Sequence, residues 1–393
     1  MSIERVDILI VGAGLAGARC AESLRAGGFD GRIVVAGEEP HPPYDRPALS
    51  KELLVGARTA GDLALRDPGF WAARDIELRR GARTEAIDLH DRRATVAGAE
   101  IQWTTLVLAT GLRARRLPGL DGLPGIHHLR TLADAAALRE MLVPGSRLAV
   151  VGAGFVGLEV ASSAQSLGVE VVVVDPAPVP FERTLGPAVG ALLAERVRAA
   201  GVDLRLDTPV HGIAGRGRVE ALELRGGALI ACDAVLVGVG ALPNTQLVSG
   251  VLDLAADGGV LVDGRGRTAA EGVHACGDVA SVHHPHLDAA VRLEHWSSAA
   301  ATAAATASGI LGRPPRPAPV PFFWSDQFGW RIQALGHVAP YLRVSAQGDA
   351  DAFVARYRDQ QGVLRAAVVA GRADLLPELR RELAEAGGVA LAG

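Results

Sequence analysis

Twice in this chain a short run of apolar residues breaks into three glycines spaced Gly-x-Gly-x-x-Gly, and no other feature limits the possible folds as much. The first copy is Ile8-Leu-Ile-Val-Gly12-Ala13-Gly14-Leu15-Ala16-Gly17, and the second is Arg147-Leu-Ala-Val-Val-Gly152-Ala153-Gly154-Phe155-Val156-Gly157. Consecutive apolar residues without alternation read as a strand buried on both faces, and the glycines let the chain turn tightly into a helix. The first glycine permits the turn, the second lets backbone approach a pyrophosphate, and the third lets the helix pack closely on the strand. The helix start adds unpaired N–H groups and the positive end of a dipole, so phosphate is expected there.

Each copy is followed by a second strand with an acidic residue at its end, the group expected to hold a ribose hydroxyl. Arg32-Ile-Val-Val-Ala-Gly leads to Glu38 and Glu39, and Glu170 to Val174 lead to Asp175. Two dinucleotide sites in one chain are what an enzyme passing hydride between a pyridine nucleotide and a flavin requires. Asp175 would accept from the adenosine ribose, and no Arg follows it at once to receive a 2′-phosphate. This favours NADH, with Arg183 further on leaving NADPH as the lesser candidate.

A chain of 393 residues with 49% hydrophobic content can bury more than one core, so two or three domains are expected. The net charge of −4 gives no basic surplus and no support for nucleic-acid or anionic-membrane binding. The N-terminal apolar run is short, follows Glu4, Arg5 and Asp7, and lacks a cleavage pattern, and no run has the length of a membrane helix. A cytoplasmic location is expected. Cys20, Cys232 and Cys276 are odd in number and far apart in sequence, which argues against a disulfide framework and a tetrahedral metal site.

His41-Pro-Pro-Tyr-Asp-Arg46-Pro-Ala-Leu-Ser-Lys51 is too proline-rich for a helix and too polar for a core strand, and reads as an ordered loop. Arg46 and Lys51 are then held at fixed positions near a phosphate or an electron-rich ring, or else belong to a solvated linker. Ile76 to Val96 reads as a small antiparallel insertion. Thr105 to Gly111 is a buried strand closing on Ala109, Thr110 and Gly111, small enough for a ligand to lie against the backbone. Of Arg113, Arg115 and Arg116, one is a candidate for a diphosphate.

Ala234 to Gly240 is another buried strand exit. Gly272-Val-His-Ala-Cys276-Gly-Asp278-Val-Ala reads as strand, tight turn and helix start, with Asp278 either accepting from a polyhydroxyl chain or capping the helix. Cys276 reads as a small buried residue. Glu294-His295-Trp296 precedes an alanine-rich helix from about Ser297 to Ser308, and the Trp either covers a flat ring or packs in the core. Pro314 to Pro321 is the clearest linker. Beyond it an aromatic-rich opening from Phe322 to Trp330, strands near 331–335, 341–345, 352–358 and 363–369, and a helix over 374–386 describe a third, smaller domain.

Together these residues resemble the FAD-dependent ferredoxin reductases that serve ring-hydroxylating dioxygenases and bacterial cytochrome P450 systems, a branch of the glutathione-reductase-like flavoproteins. The specific segments are Pro43-Tyr-Asp-Arg-Pro-Ala-Leu-Ser-Lys51, Ala275-Cys-Gly-Asp278, Glu294-His-Trp296 and Phe323-Trp-Ser-Asp-Gln327. The resemblance implies an α/β fold with two Rossmann-like domains and a small C-terminal α+β domain. Residues 1–112 and 243–318 would bind FAD, 113–242 would bind NADH, and 319–393 would form the third domain.

It places FAD against Gly12, Ala13, Gly14, Leu15, Ala16, Glu38, Glu39, Arg46, Lys51, Thr84, Ala109, Arg115 and Asp278, with Glu294, His295 and Trp296 beside it. NADH would lie on Gly152, Ala153, Gly154, Phe155, Val156, Glu159, Asp175 and Gly240. Lys51, paired with Glu159, would hold charge near the flavin N5, and no metal is expected. The implied partner is a [2Fe–2S] ferredoxin, with the chain a monomer or weak homodimer. Asp175 stands where the family often carries Glu, which shortens the reach to the ribose. The 40–51 loop has no Cys and the chain no Cys-x-x-Cys, which weighs against the disulfide- and peroxide-reducing branches. The alternatives are an NADH oxidase or small-acceptor reductase, and a redox-sensing flavoprotein acting through a partner.

Overall fold

A computed structural model describes residues 3–120, 122–284, 289–314, 319–339 and 342–386. Among them are six α-helices: α1 (Leu15–Ala26), α2 (Leu132–Met141), α3 (Phe155–Ser166), α4 (Glu182–Ala199, bent at Gly186 and Pro187), α5 (Trp296–Ile310) and α6 (Leu376–Ala386). The chain divides into two compact units, each assembled from separated segments. The first contains Met1–Asp45, Ala64–Arg113 and Leu242–Pro321; the second contains Arg46–Leu63, Ala114–Ala241 and Phe322–Gly393.

The first unit is built on a seven-stranded sheet. Glu4–Val11 lies between the parallel strands Ile33–Ala36 and Ala99–Leu108, with Ile76–Arg79 parallel at the edge. The long strand Ala99–Leu108 does two jobs. Its first half pairs antiparallel with Arg93–Val96, which continues to Thr84–Asp88, and its last three residues pair in parallel with Val273–Ala275. Ile8, Leu9 and Ile10 are at most 1% exposed, which is why this strand shows no polar alternation. Helices α1 and α5 pack against each other on one face. The apolar residues of α1 and α5 join Ile8, Ile10, Ile33 and Val35 in one core.

The second unit repeats the pattern with an all-parallel sheet ordered Asp203–Arg205, Glu170–Val174, Arg147–Val151, Ala234–Val237, Ile126–His127. A three-stranded antiparallel sheet over 210–231 adjoins it in sequence. The C-terminal segment forms an antiparallel sheet ordered Phe322–Gln327, Trp330–Gly336, Leu364–Ala370, Phe353–Arg358, Arg343–Gly348, with α6 packed on its central strand.

Several expectations change. Ile76–Arg79 is the parallel edge of the first sheet rather than part of an antiparallel insertion, because its partner is Ile33–Ala36. The Arg46–Ser50 stretch is not plain loop but a 3-10 turn. Pro47 is tolerated there because its fixed φ suits the first positions of a helical turn and its missing N–H removes no bond. Asp278 does not open a helix: Gly277–Val279 is a single 3-10 turn that runs into the strand Ala280–His284. The alanine-rich helix begins at Trp296 and reaches Ile310. The aromatic-rich opening at Phe322 is itself the edge strand of the C-terminal sheet. Part of the 314–321 linker, and the start of the strand expected near 341, lie outside the described residues.

Candidate functional site

The two glycine turns are near copies at atomic detail. Gly12 N–H donates to Ala36 O and Gly152 N–H donates to Val174 O, each at 2.8 Å. Gly12 and Gly152 both sit at positive φ, 113° and 106°. A Cβ on Gly12 would meet Ala109 O at 2.1 Å, and one on Gly152 would meet Gly238 O at 2.5 Å. The third glycine is equally forced, since a Cβ on Gly17 or Gly157 would lie 2.0 or 2.1 Å from the carbonyl of the first. Those four glycines serve the fold.

Gly14 and Gly154 differ in kind. Each is the N-cap of its helix with no side-chain cap, and a Cβ there would meet nothing within 4 Å beyond its immediate chain neighbours. The backbone is extended at both, so an alanine would suffer no strain. What remains is an open cradle over the first N–H groups of α1 and α3, with the positive dipole end facing it, which fits a pyrophosphate in each unit. FAD and a nicotinamide dinucleotide each carry one.

The acidic ends of the second strands are not equivalent. Asp175 directly follows its strand, and its carboxylate accepts from Ala153 N–H at 2.6 Å and from Ala177 N–H at 2.8 Å. The residue in the same register of the first unit is Gly37, where a Cβ would strike Ala13 Cβ at 2.4 Å. The first acidic side chain is therefore Glu38, which is largely exposed and 3.5 Å from Arg83. Glu39 accepts from Tyr44 O–H at 2.7 Å. So Asp175 braces its glycine turn while each oxygen keeps a lone pair for a ribose hydroxyl.

Around the first cradle the structure gathers several expected residues. Ala109 N–H donates to Val11 O at 2.8 Å, setting that strand exit beside Gly12. The 3-10 turn carrying Asp278 rests on the first turn of α1, where a Cβ on Gly277 would meet Ala16 Cβ at 2.5 Å. Gly277 N–H is held by Thr302 Oγ1 of α5. Trp296, at the start of α5, donates from its indole N–H to Asp45 at 3.0 Å; His295 caps that helix, and Glu294 accepts from Arg292. Ala82 N–H donates to Gly37 O, bringing Thr84 to the end of the second strand. Thr84 Oγ1 is buried with no hydrogen-bond partner among the described residues, as suits a ligand contact. Of the arginines, Arg113 donates to Pro243 O, while Arg115 is exposed and fixed by backbone to Gly240 O.

Cys276 does not stand alone. Contact with the Cys20 thiol and full burial push its thiol well above the ordinary range, so it carries no thiolate for redox chemistry. Among the described residues no cluster of ligating side chains could hold a metal ion, and no helix is long and apolar enough to cross a membrane.

In the second unit Arg46 donates to Arg130 O. The same 3-10 turn delivers Ser50 and Lys51 to α3. Lys51 Nζ lies 3.0 Å from Glu159 Oε2, with the carboxylate only 9% exposed and the ammonium side chain 15%. Ser50 Oγ donates to the same oxygen. At the start of α3, Phe155 stacks edge-on with Phe323 and is tilted against Phe181, while Val156 is exposed. Gly240 sits at φ 95° with open space beside it.

Three residues around Glu159 have no role assigned from the sequence: Ser163 falls in no segment singled out there, and Ser325 and Gln327 enter only within Phe323-Trp-Ser-Asp-Gln327. Ser325 Oγ donates to Glu159 Oε1 at 2.7 Å, Gln327 Nε2 donates to Ser325 Oγ at 3.2 Å, and Ser163 Oγ donates to Ser50 O at 2.7 Å. One signal was in the sequence: Lys51 is the only lysine among 40 Lys and Arg residues. A chain that otherwise uses arginine throughout carries an ammonium at one place, partly buried against a carboxylate.

The profile of the pyridine nucleotide-disulphide oxidoreductases matches residues 6–303, and that of the reductase C-terminal domain matches 322–391. The ferredoxin–NAD(+) reductase component of the anthranilate 1,2-dioxygenase system of Burkholderia cepacia is 40% identical over 346 residues, covering 87% of this chain and 84% of its own. Putidaredoxin reductase of Pseudomonas putida is 36% identical, covering 87% and 83%. Among solved structures, the covalent putidaredoxin reductase–putidaredoxin complex superposes with a TM-score of 0.93 at 32% identity, covering 97% of this chain and 93% of that one. With two glycine cradles, the matching profiles and relatives of this identity, the chain belongs to the pyridine nucleotide-disulphide oxidoreductase family and carries its reductase C-terminal domain.

Proposed function

We propose that this chain is an FAD-dependent NADH:ferredoxin reductase, passing electrons from NADH to a [2Fe–2S] ferredoxin that serves an oxygenase or cytochrome P450. The observation that carries the reading is the pair of uncapped, unobstructed helix starts at Gly14 and Gly154, one for each dinucleotide. Residues 1–112 with 243–318 hold FAD, 113–242 hold NADH, and 319–393 form the third domain. Bound FAD supplies the acceptor for a hydride and the means of releasing its two electrons singly.

The protein's own tasks are binding, orientation and charge. The N–H groups of α1 and the adjoining Asp278 turn hold the flavin nucleotide, and Ala109 allows its close approach. The α3 start and Asp175 hold NADH, whose adenosine ribose donates to the aspartate. Lys51 would hold a positive charge where a bound flavin gathers electron density, and Glu159 and Ser50 fix the position of its ammonium.

Stopped-flow reduction by NADH tests the assignment of Lys51. Lys51→Ala is expected to slow flavin reduction and ferredoxin turnover together; unchanged rates for both refute the role.

A further inference from the structure

Glu159 has two carboxylate oxygens, and the structure divides their work. Oε2 faces Lys51 and Ser50, while Oε1 accepts from Ser325 Oγ at 2.7 Å. Ser325 is fully buried, and Gln327 is 4% exposed. A hydroxyl has one proton to give. Because the Gln327 amide N–H donates to Ser325 Oγ, one lone pair of that oxygen is occupied and its proton is directed at Glu159.

This contact is one of three along a single edge. On α3, Phe155, Glu159 and Ser162 fall at spacings of four and three residues and so share one helix face. The Phe323 ring meets Phe155, Ser325 meets Glu159, and Phe328 N–H donates to Ser162 Oγ at 2.6 Å. The strand Phe322–Gln327 thus runs along α3, with Phe323, Ser325 and Gln327 on one face of the strand.

We infer that Ser325, oriented by Gln327, is a positioning residue for hydride transfer: it holds Glu159 Oε1 so that Oε2 stays turned to the Lys51 ammonium. This rests on the role proposed above for Lys51 and Glu159. Without the Ser325 proton Oε1 loses this donor, only Ser50 and Lys51 still hold the carboxylate through Oε2, and the position of the ammonium is less sharply fixed.

Since Lys51 is the only lysine, an amine-selective acylating reagent reports on one side chain, with the N-terminal amine separated by peptide mass. The oxidised, FAD-loaded enzyme is labelled in the absence of NADH and the acylation rate of Lys51 followed. In parallel, stopped-flow reduction gives the limiting rate and the NADH dissociation constant. Ser325→Ala is expected to raise the labelling rate and lower the limiting reduction rate, each about tenfold, with NADH affinity changed less than about twofold. Ser325→Thr, which keeps the hydroxyl, restores both. Gln327→Leu gives a smaller change in the same direction and serves where Ser325→Ala folds poorly. Wild-type labelling in both Ser325→Ala and Gln327→Leu overturns the positioning role, whatever the reduction rates. Raised labelling together with wild-type reduction by Glu159→Gln refutes the proposed role of the Lys51–Glu159 pair and with it the effect of Ser325 on hydride transfer.

Discussion

Gly154 separates binding from folding. A methyl group there meets nothing within 4 Å beyond its immediate chain neighbours, and the backbone, at φ −91° and ψ −171°, accepts alanine without strain. Alanine is a poorer N-cap than glycine but also reduces the freedom of the unfolded chain, so Gly154→Ala should change stability by no more than about 0.5 kcal/mol. On the proposed placement, the same methyl occupies the space that a pyrophosphate enters to reach the α3 N–H groups. Displacing it loses one charge-assisted hydrogen bond, about 1.5–3 kcal/mol, or roughly a 10- to 150-fold weaker dissociation constant. The assay is calorimetric titration of the FAD-loaded variant with NAD+, with thermal unfolding alongside. Gly157→Ala is the contrast: its Cβ would lie 2.1 Å from Gly152 O, so the backbone must shift and stability should fall by about 1–3 kcal/mol or more. A Gly154→Ala protein of normal stability that binds NAD+ within twofold of wild type would refute the placement of the pyrophosphate.

Two further outcomes follow from the same geometry. Asp175→Ala removes the brace on Ala153 N–H and, with it, the proposed ribose acceptor, and should weaken NADH binding about tenfold or more while leaving FAD content unchanged; equal affinity in the variant contradicts the assignment. Burial holds the His274 imidazole below its ordinary value of 6.5 despite Asp263 nearby. The unfolded chain therefore binds more protons, so this contribution to stability is complete above pH 6.5 and is lost as pH falls below it. Melting temperatures between pH 8 and 5 should decline less steeply for His274→Gln than for wild type, and parallel slopes would remove His274 from the account.

The glycine turns were readable because their residue types are forced locally. Four of the six glycines are fixed by contacts with their own turn or the neighbouring strand exit, and the spacing repeats for that reason. Asp175 was readable for the same reason, one strand away. Ile76–Arg79 was not, since a short strand of mixed polarity carries no mark of whether its partner runs parallel or antiparallel. Gly37 shows a different limit: the first unit's acid falls one position later than the second's because a side chain at 37 would strike Ala13, a fact of three dimensions. Ser325 and Gln327 stand in a segment that the sequence marked as specific, but the residues alone gave them no partner, although polar side chains on the same strand face as Phe323 are a sign of a buried one. That partner, Glu159, lies 166 residues earlier, beyond any local pattern.

The central claim is that two nucleotides held in one chain feed an iron–sulfur protein. It is tested most directly by NADH-driven turnover of the FAD-loaded protein with a panel of [2Fe–2S] ferredoxins, against oxygen alone. Rapid flavin reduction by NADH, slower reduction by NADPH, and ferredoxin reduction far above the oxygen background are expected. Turnover with oxygen equal to that with every ferredoxin would contradict it.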